Sequence, residues 1–206
     1  MHLPWLFGER RVVTGKLGEM AQSLVLASQS PRRKELLGIL GMPFTIVTPN
    51  VDETPHPGER PHEYVVRVAR LKALDVASRL KGSLIVSADT VVTIDGEILG
   101  KPVDRVDAIR MLSRLAGREH HVYTSVCLMD QLRDRMLEGM EDTAVWFNSL
   151  TASQIEGYID HEDVMDKAGA YAIQGFASVF IPRIAGSYSN VMGLPLALVY
   201  ELLSKA

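Results

Sequence analysis

Apolar and polar positions alternate in short blocks along most of the chain, and each block reads as a strand or a helix. Leu24-Val25-Leu26-Ala27 is a continuous apolar run of the buried-strand type. Ser30-Pro31 then supplies an N-cap and a proline at the first helical position, which predicts a helix reaching about Gly41. Phe44 to Thr48 is a second strand, followed by a Pro-, Gly- and acid-rich loop from Pro49 to Pro61. From His62 to Leu80 the apolar residues Val65, Ala69, Val76 and Leu80 recur at helical spacing, and Lys72 falls on the same stripe. Leu84 to Ile94 is β-rich, Asp95-Gly96 is a hairpin signal, and Glu97-Ile98-Leu99 returns from it. Asp104 caps a helix to Leu115, with Val106, Ile109, Leu112 and Leu115 on its apolar side and Gly117 as terminator. Further strands are predicted at His121 to Leu128, Thr143 to Phe147 and Ser178 to Ile184, with helices at Ser153 to Asp160 and Pro195 to Ser204.

This alternation predicts an α/β protein with a mixed central sheet and flanking helices. A length of 206 residues suits one large domain or two closely packed lobes, with the loop around Val51 and the segment after Gly117 as candidate hinges. Residues 1–22 precede the first strand and read as an N-terminal extension, Met20 being a candidate alternative start; the domain itself is expected over 23–206. An apolar share of 47% with 23% charged residues excludes a disordered chain.

Charge narrows the partners. Lys plus Arg number 22 against 25 Asp plus Glu, so no global field draws the chain to nucleic acid or an anionic membrane. An anionic ligand must be held by a local cluster. No apolar run approaches the ~18 to 20 residues of a membrane span, and the start, with Glu9, Arg10, Arg11 and Lys16, lacks a secretory apolar region. The single cysteine, Cys127, reads as a buried structural thiol, and the expected compartment is the cytoplasm.

Several residues break their local pattern. Arg32, Arg33 and Lys34 crowd a helix N-terminus whose dipole is already positive, an arrangement that a bound anion would reverse. With the hydroxyls of Ser28 and Ser30 they form either a phosphate cradle or a solvated basic turn. Asp89 interrupts an apolar β-type run, where a buried carboxylate is costly unless paired or bound to a cation. It is a candidate metal ligand or general base, or a salt-bridged structural acid. Lys72 either snorkels to solvent, the commoner outcome, or reaches an anion at the sheet edge. Spacing alone makes Glu53 a surface loop acid and Lys101 unremarkable. In Asp166-Lys167-Ala168-Gly169-Ala170-Tyr171-Ala172-Ile173-Gln174-Gly175, small residues permit close backbone approach and Gln174 could bond a base edge; a tight packing turn is the alternative.

Other chemistries are set aside. Gly15-Lys16 lacks the glycine and hydroxyl residue of a phosphate loop, and there is no G-x-S-x-G, H-E-x-x-H or G-x-G-x-x-G. The neighbours His120 and His121 would point to opposite faces of a strand and make poor joint ligands.

Five blocks in order carry a resemblance: Leu26-Ala27-Ser28-Gln29-Ser30-Pro31-Arg32-Arg33, Ala88-Asp89-Thr90-Val91-Val92, Gly100-Lys101-Pro102, Asp166-Lys167-Ala168-Gly169-Ala170-Tyr171, and Gly186-Ser187-Tyr188 through Gly193-Leu194-Pro195-Leu196. Over about residues 23 to 204 the chain resembles the Maf proteins, nucleotide pyrophosphatases first named for effects on septum formation. The resemblance implies an elongated mixed sheet with a central cleft, related to the inosine triphosphate pyrophosphatases, and often a homodimer. It places Asp89 as catalytic acid residue, base or metal ligand. Glu53, Lys72 and Lys101 would surround the phosphates and a divalent cation, Mg²⁺ or Mn²⁺, with Glu53 and Asp89 as its ligands. Ser28, Arg32 and Arg33 would bind phosphate. Arg32, Thr90 and Gln174 match the subgroup that resembles dTTP and UTP hydrolases rather than the one for 7-methyl-GTP. The expected reaction is hydrolysis of dTTP and UTP, with CTP or modified pyrimidine triphosphates as further candidates, to the monophosphate and pyrophosphate. A modified-purine pyrophosphatase and a non-catalytic, nucleotide-binding regulator of cell division are the rivals.

Overall fold

The computed structural model describes residues 22–206; of the expected N-terminal extension, residues 1–21, Met20 among them, lie outside the described residues. The elements, in order, are β1 (Ser23–Ala27), α1 (Pro31–Ile39), β2 (Phe44–Ile46), α2 (Pro61–Arg79), β3 (Ser83–Ile94), β4 (Glu97–Leu99), α3 (Arg105–Leu115), β5 (Glu119–Asp130), β6 (Arg135–Trp146), α4 (Ala152–His161), β7 (Arg183–Ala185), α5 (Tyr188–Val191) and α6 (Leu196–Lys205). Two 3-10 turns, Ala168–Ala170 and Gly175–Val179, stand between α4 and β7.

The seven strands form one mixed sheet in the order β2-β1-β3-β5-β6-β7, with β4 also on β3. β1 is parallel to β2 and β3, and every other pairing is antiparallel. Both faces of the sheet are covered. On one, α2 packs Val65, Val68, Ala69, Ala73 and Val76 against Val25, Ile85, Val91 and Cys127. On the other, α1 and α6 bury Leu36, Leu37, Val199 and Leu202 against the first half of β3, while α3 and α4 cover its second half. β3 is therefore buried in nearly every position rather than alternating, as a strand covered on both faces must be.

One feature of the register makes the site. β5 runs along one edge of β3 from Leu84 to Thr93. On the other edge β1 stops at Ala27, opposite Ser87, and β4 takes over only at Val92, opposite Leu99. Ala88 to Val91 are left without a neighbour on that side, and the sheet is open there. The carboxyl end of β1 and the start of α1 arrive at this break, the kind of place where α/β sheets bind ligands.

Several expectations are corrected. The strand predicted over Ser178 to Ile184 is a 3-10 turn as far as Val179, and β7 begins only at Arg183, because Pro182 has no N–H to give a ladder. β6 starts at Arg135, well before Thr143; its outer half carries Glu138, Glu141 and Asp142 among its apolar residues, which hides the apolar pattern. On α3 the buried stripe is Ala108, Met111, Leu112 and Leu115, and Val106 is 75% exposed. Only Arg118 separates Gly117 from β5, which opens at Glu119.

His120 and His121 do face opposite ways. His121 pairs with Asp142 at 2.8 Å, whereas His120 is buried against Phe147 and Tyr171. Burial pushes the His120 imidazole down to about 3 from 6.5. A base with a depressed folded-state pKa takes up a proton more readily when unfolded, so its contribution is fully present above about pH 6.5 and is lost as pH falls toward 3. Wild-type protein should lose about 3 kcal/mol from this group between neutrality and about pH 4, and His120→Gln should lose correspondingly less. Urea unfolding of both proteins measures the difference; parallel pH profiles would exclude His120 as the cause.

Candidate active site

The break in the β3 edge opens into a cleft of about 940 Å³, lined by Ser28, Arg32, Arg33, Glu53, Lys72, Asp89, Thr90, Lys101 and Gln174 together. These are the residues singled out from the sequence, and they come from the end of β1, the start of α1, the β2–α2 loop, α2, β3, the turn after β4 and the segment before the second 3-10 turn.

At its centre lies a buried ion-pair group. Along β3, Ser87 and Asp89 point toward α2: the Ser87 hydroxyl donates to Ala69 O at 2.6 Å, and Asp89 Oδ1 accepts from Lys72 Nζ at 2.7 Å. The same ammonium donates to Glu53 Oε2 at 2.9 Å. Lys72 therefore does not snorkel; its helical stripe faces the sheet, and its side chain is only 8% exposed, as is Asp89 at 7%, while Glu53 is 49% exposed. Burial lifts the Asp89 carboxyl above the usual carboxylate range, and the positive charges of Lys72 and Arg33 offset this only in part. Asp89 Oδ2 is buried with no hydrogen-bond partner among the described residues.

Thr90, the next residue, points to the opposite face. Its hydroxyl lies 2.9 Å from that of Thr124 and accepts from Arg33 Nη2 at 3.0 Å. Arg33 Nε donates to Gly193 O at 2.8 Å, so this half-buried guanidinium ties α1 to β3 and to the approach of α6. Part of its fork is thus already engaged by the protein. Gly193 takes φ +105°, a backbone conformation that favours glycine, and so brings its carbonyl to Arg33.

Arg32 stands at the mouth, 3.7 Å from Asp166 Oδ2, and Lys167 also bonds Asp166. Ser30 caps α1 by accepting from Arg33 N, and the buried Ser28 hydroxyl accepts from Ser30 N at 3.1 Å. That capping pattern leaves the Arg32 N–H pointing out of the helix end without an intrahelical partner. Lys101 is exposed and makes no ion pair with the described residues. In the Asp166–Gly175 segment, Gly169 approaches β3 so closely that a Cβ would come within 3.0 Å of Val92, and its N–H reaches Gly100 O at 3.0 Å. That contact joins the fourth sequence block to the third.

Residues 23–206 match the family model described as Maf-like protein. The chain belongs to the Maf family. Among its Maf relatives, a protein of Pelotomaculum thermopropionicum named dTTP/UTP pyrophosphatase is 47% identical over 184 residues, covering 89% of this chain and 96% of that one. A Geobacter sulfurreducens protein of the same name is 48% identical over 178 residues, covering 86% and 93%. Among solved structures, a HAM1 protein from Coxiella burnetii aligns with a TM-score of 0.49 at 17% identity, over 90% of this Maf chain and 100% of that one.

Three contributors were not evident from sequence. Tyr64 and Arg67 on α2 bond the backbone of the loop that carries Glu53, at 2.8 Å to Glu53 O and 3.0 Å to Thr54 O. Tyr64 sits among apolar positions and resembles any core aromatic there. Thr124 is likewise hidden within the apolar-rich β5.

Proposed function

We propose that this Maf protein hydrolyses dTTP and UTP to the monophosphate and pyrophosphate. The observation that carries the reading is the shared cleft: the cationic first turn of α1 and the buried Asp89–Lys72–Glu53 group line one opening at the break in the sheet. Relatives named for this activity over nearly their full length agree with it.

The residues divide the work by their chemistry. Arg32, Lys101 and the N-terminal turn of α1 receive the polyphosphate, since the helix dipole and guanidinium both favour anions. Arg33 is held by Thr90 and Gly193 and keeps a fixed positive charge beside them. Lys72 fixes the positions of Asp89 and Glu53 before substrate enters. Asp89, with one oxygen on Lys72 and the other unpartnered, positions the water that attacks the α-phosphorus, either directly as the base that takes its proton or through the cation it holds. Pyrophosphate leaves on the far side of the phosphorus.

A divalent cation suits the same residues. The orphaned Asp89 oxygen and the nearby Glu53 carboxylate supply two hard oxygen ligands. No three His, Cys, Asp or Glu side chains among the described residues form a closed metal cage, and Mg²⁺ commonly binds through one or two carboxylates plus substrate phosphates. Held by Glu53 and Asp89, Mg²⁺ or Mn²⁺ would neutralise charge developing on the phosphate oxygens.

Gln174 borders the cleft, and no described residue bonds its amide. An amide offers adjacent donor and acceptor groups, which complement the N3–H and O4 shared by uracil and thymine. We place the reaction in the cytoplasm; the buried Cys127, with its thiol pushed up to about 12, is suited to a reducing compartment.

Pyrophosphate release from dTTP, UTP, CTP, GTP and 7-methyl-GTP, each with and without Mg²⁺, tests the reading. Turnover of dTTP and UTP well above the purines is expected. Binding without turnover would make the protein a regulator, and preference for 7-methyl-GTP would move it to the purine-directed subgroup.

A further inference from the structure

Glu53 reaches the buried pair from a loop outside the sheet, and α2 holds that loop by side chains from successive turns. Tyr64 OH donates to Glu53 O at 2.8 Å, and Arg67 Nη2 donates to Thr54 O at 3.0 Å. Arg67 also grips Glu59 through Nε and Nη2 at 2.6 and 2.7 Å, and Glu59 in turn accepts from His56 N at 3.0 Å. Further along, Asp75 accepts from Asn50 N at 2.9 Å and Arg79 donates to Thr48 O at 2.8 Å. The contacts flank Glu53 on both sides. Lys72, from the same helix, meets the carboxylate itself.

We propose that Tyr64 and Arg67 are positioning residues for Glu53, setting the second carboxylate of the cation site in place before substrate arrives. The proposal rests on the reading above that Glu53 and Asp89 serve a divalent cation. Tyr64 lines the cleft, yet its hydroxyl proton is spent on a backbone carbonyl, so it orients the loop rather than acting on phosphate. A half-exposed glutamate on an untethered loop would spread over many rotamers. Two donors fixed on a rigid helix remove that freedom at the loop backbone.

The test compares Tyr64→Phe, Arg67→Met and Arg67→Lys with wild type. Mn²⁺ affinity, read from the paramagnetic resonance of free Mn²⁺, should weaken about fivefold in Tyr64→Phe and roughly tenfold in Arg67→Met, with thermal unfolding midpoints for Tyr64→Phe near wild type. Arg67→Lys, which keeps the charge but not the fork, should fall between. In a Glu53→Gln background Tyr64→Phe should add nothing, because the group it orients is gone. Unchanged Mn²⁺ affinity in both Tyr64→Phe and Arg67→Lys, no Mn²⁺ binding by the wild type, or full additivity with Glu53→Gln would overturn the proposal. A wild type that binds Mn²⁺ yet cleaves neither UTP nor dTTP would refute the functional reading, while the Mn²⁺ comparison would still decide this one.

Discussion

Asp89→Asn is expected to lower UTP and dTTP turnover by about 10²- to 10⁴-fold, the range for loss of a positioned acid–base group. The fold should survive intact. Asn is close to isosteric with Asp, its amide oxygen can still accept from Lys72, and Lys72 retains Glu53 as a partner at 2.9 Å. Stability should hold or rise, because burial raises the Asp89 carboxyl and ionised Asp89 is therefore a cost to the folded state near neutrality. The sign follows directly. A carboxyl whose folded-state pKa lies above its unfolded value of 3.8 contributes most below that value, and the contribution is lost as pH rises through the folded pKa. A substitution that abolishes turnover while leaving the unfolding midpoint level or higher marks a residue kept for chemistry rather than for packing. Steady-state rates within about threefold of wild type would remove Asp89 from the reaction.

The prominence of Asp89 in the sequence has a simple physical origin. A strand buried on both faces admits almost no polar residues, so one carboxylate within Leu84 to Ile94 stands out without any knowledge of the partner. The same logic exposed Lys72, a cation on a stripe of Val65, Ala69 and Val76. What periodicity alone could not supply was their meeting. Snorkelling is the usual outcome for a lysine on an apolar stripe, and only the stacking of α2 directly on β3 removes the route to water. The helix start was legible for a different reason: three cations against a dipole are locally unfavourable, and unfavourable local choices point to something absent from the local sequence.

Other parts were silent because their signals are generic. Glu53 is one acid in an acidic loop, and nothing in Val51-Asp52-Glu53-Thr54 distinguishes it from Asp52. In the fold Asp52 turns to Thr54 N at 2.8 Å, and only Glu53 reaches inward. Arg33 and Arg32 look equivalent as neighbours on one turn, yet the 3.6-residue period sends Arg33 to Thr90 and leaves Arg32 at the mouth. The outer half of β6 and the short α5 were invisible for a related reason. A strand whose exposed positions are charged, and a four-residue helix, carry too few apolar repeats to register. The break in the β3 edge, which creates the cleft, is a property of pairing between distant segments and has no local signature.

The largest stability effect belongs to Lys72. Lys72→Met keeps the length and apolar stem of the side chain but removes the ammonium, leaving two carboxylates without their shared donor. Glu53 is half-exposed and can turn to water, so the cost falls on Asp89, which cannot. Breaking one side of a buried pair costs about 3 to 5 kcal/mol, enough to consume much of the stability of an ordinary domain. The loss is specific in its pH dependence. Lys72 is the largest of the charges that lower the Asp89 carboxyl against burial, so its removal raises that carboxyl further. Protonation of Asp89 then relieves the unpaired charge, and the deficit relative to wild type should be greatest at about pH 8 and shrink by about pH 5. Charging of His120 affects both proteins equally and cancels in the difference. Adding Asp89→Asn to Lys72→Met should recover most of the stability and none of the turnover, a strongly non-additive pair, because the neutral amide no longer needs the cation. Urea titrations of the four proteins at both pH values give the comparison directly; an equal deficit at each pH, or simple additivity, would mean that Lys72 supports the fold by packing alone.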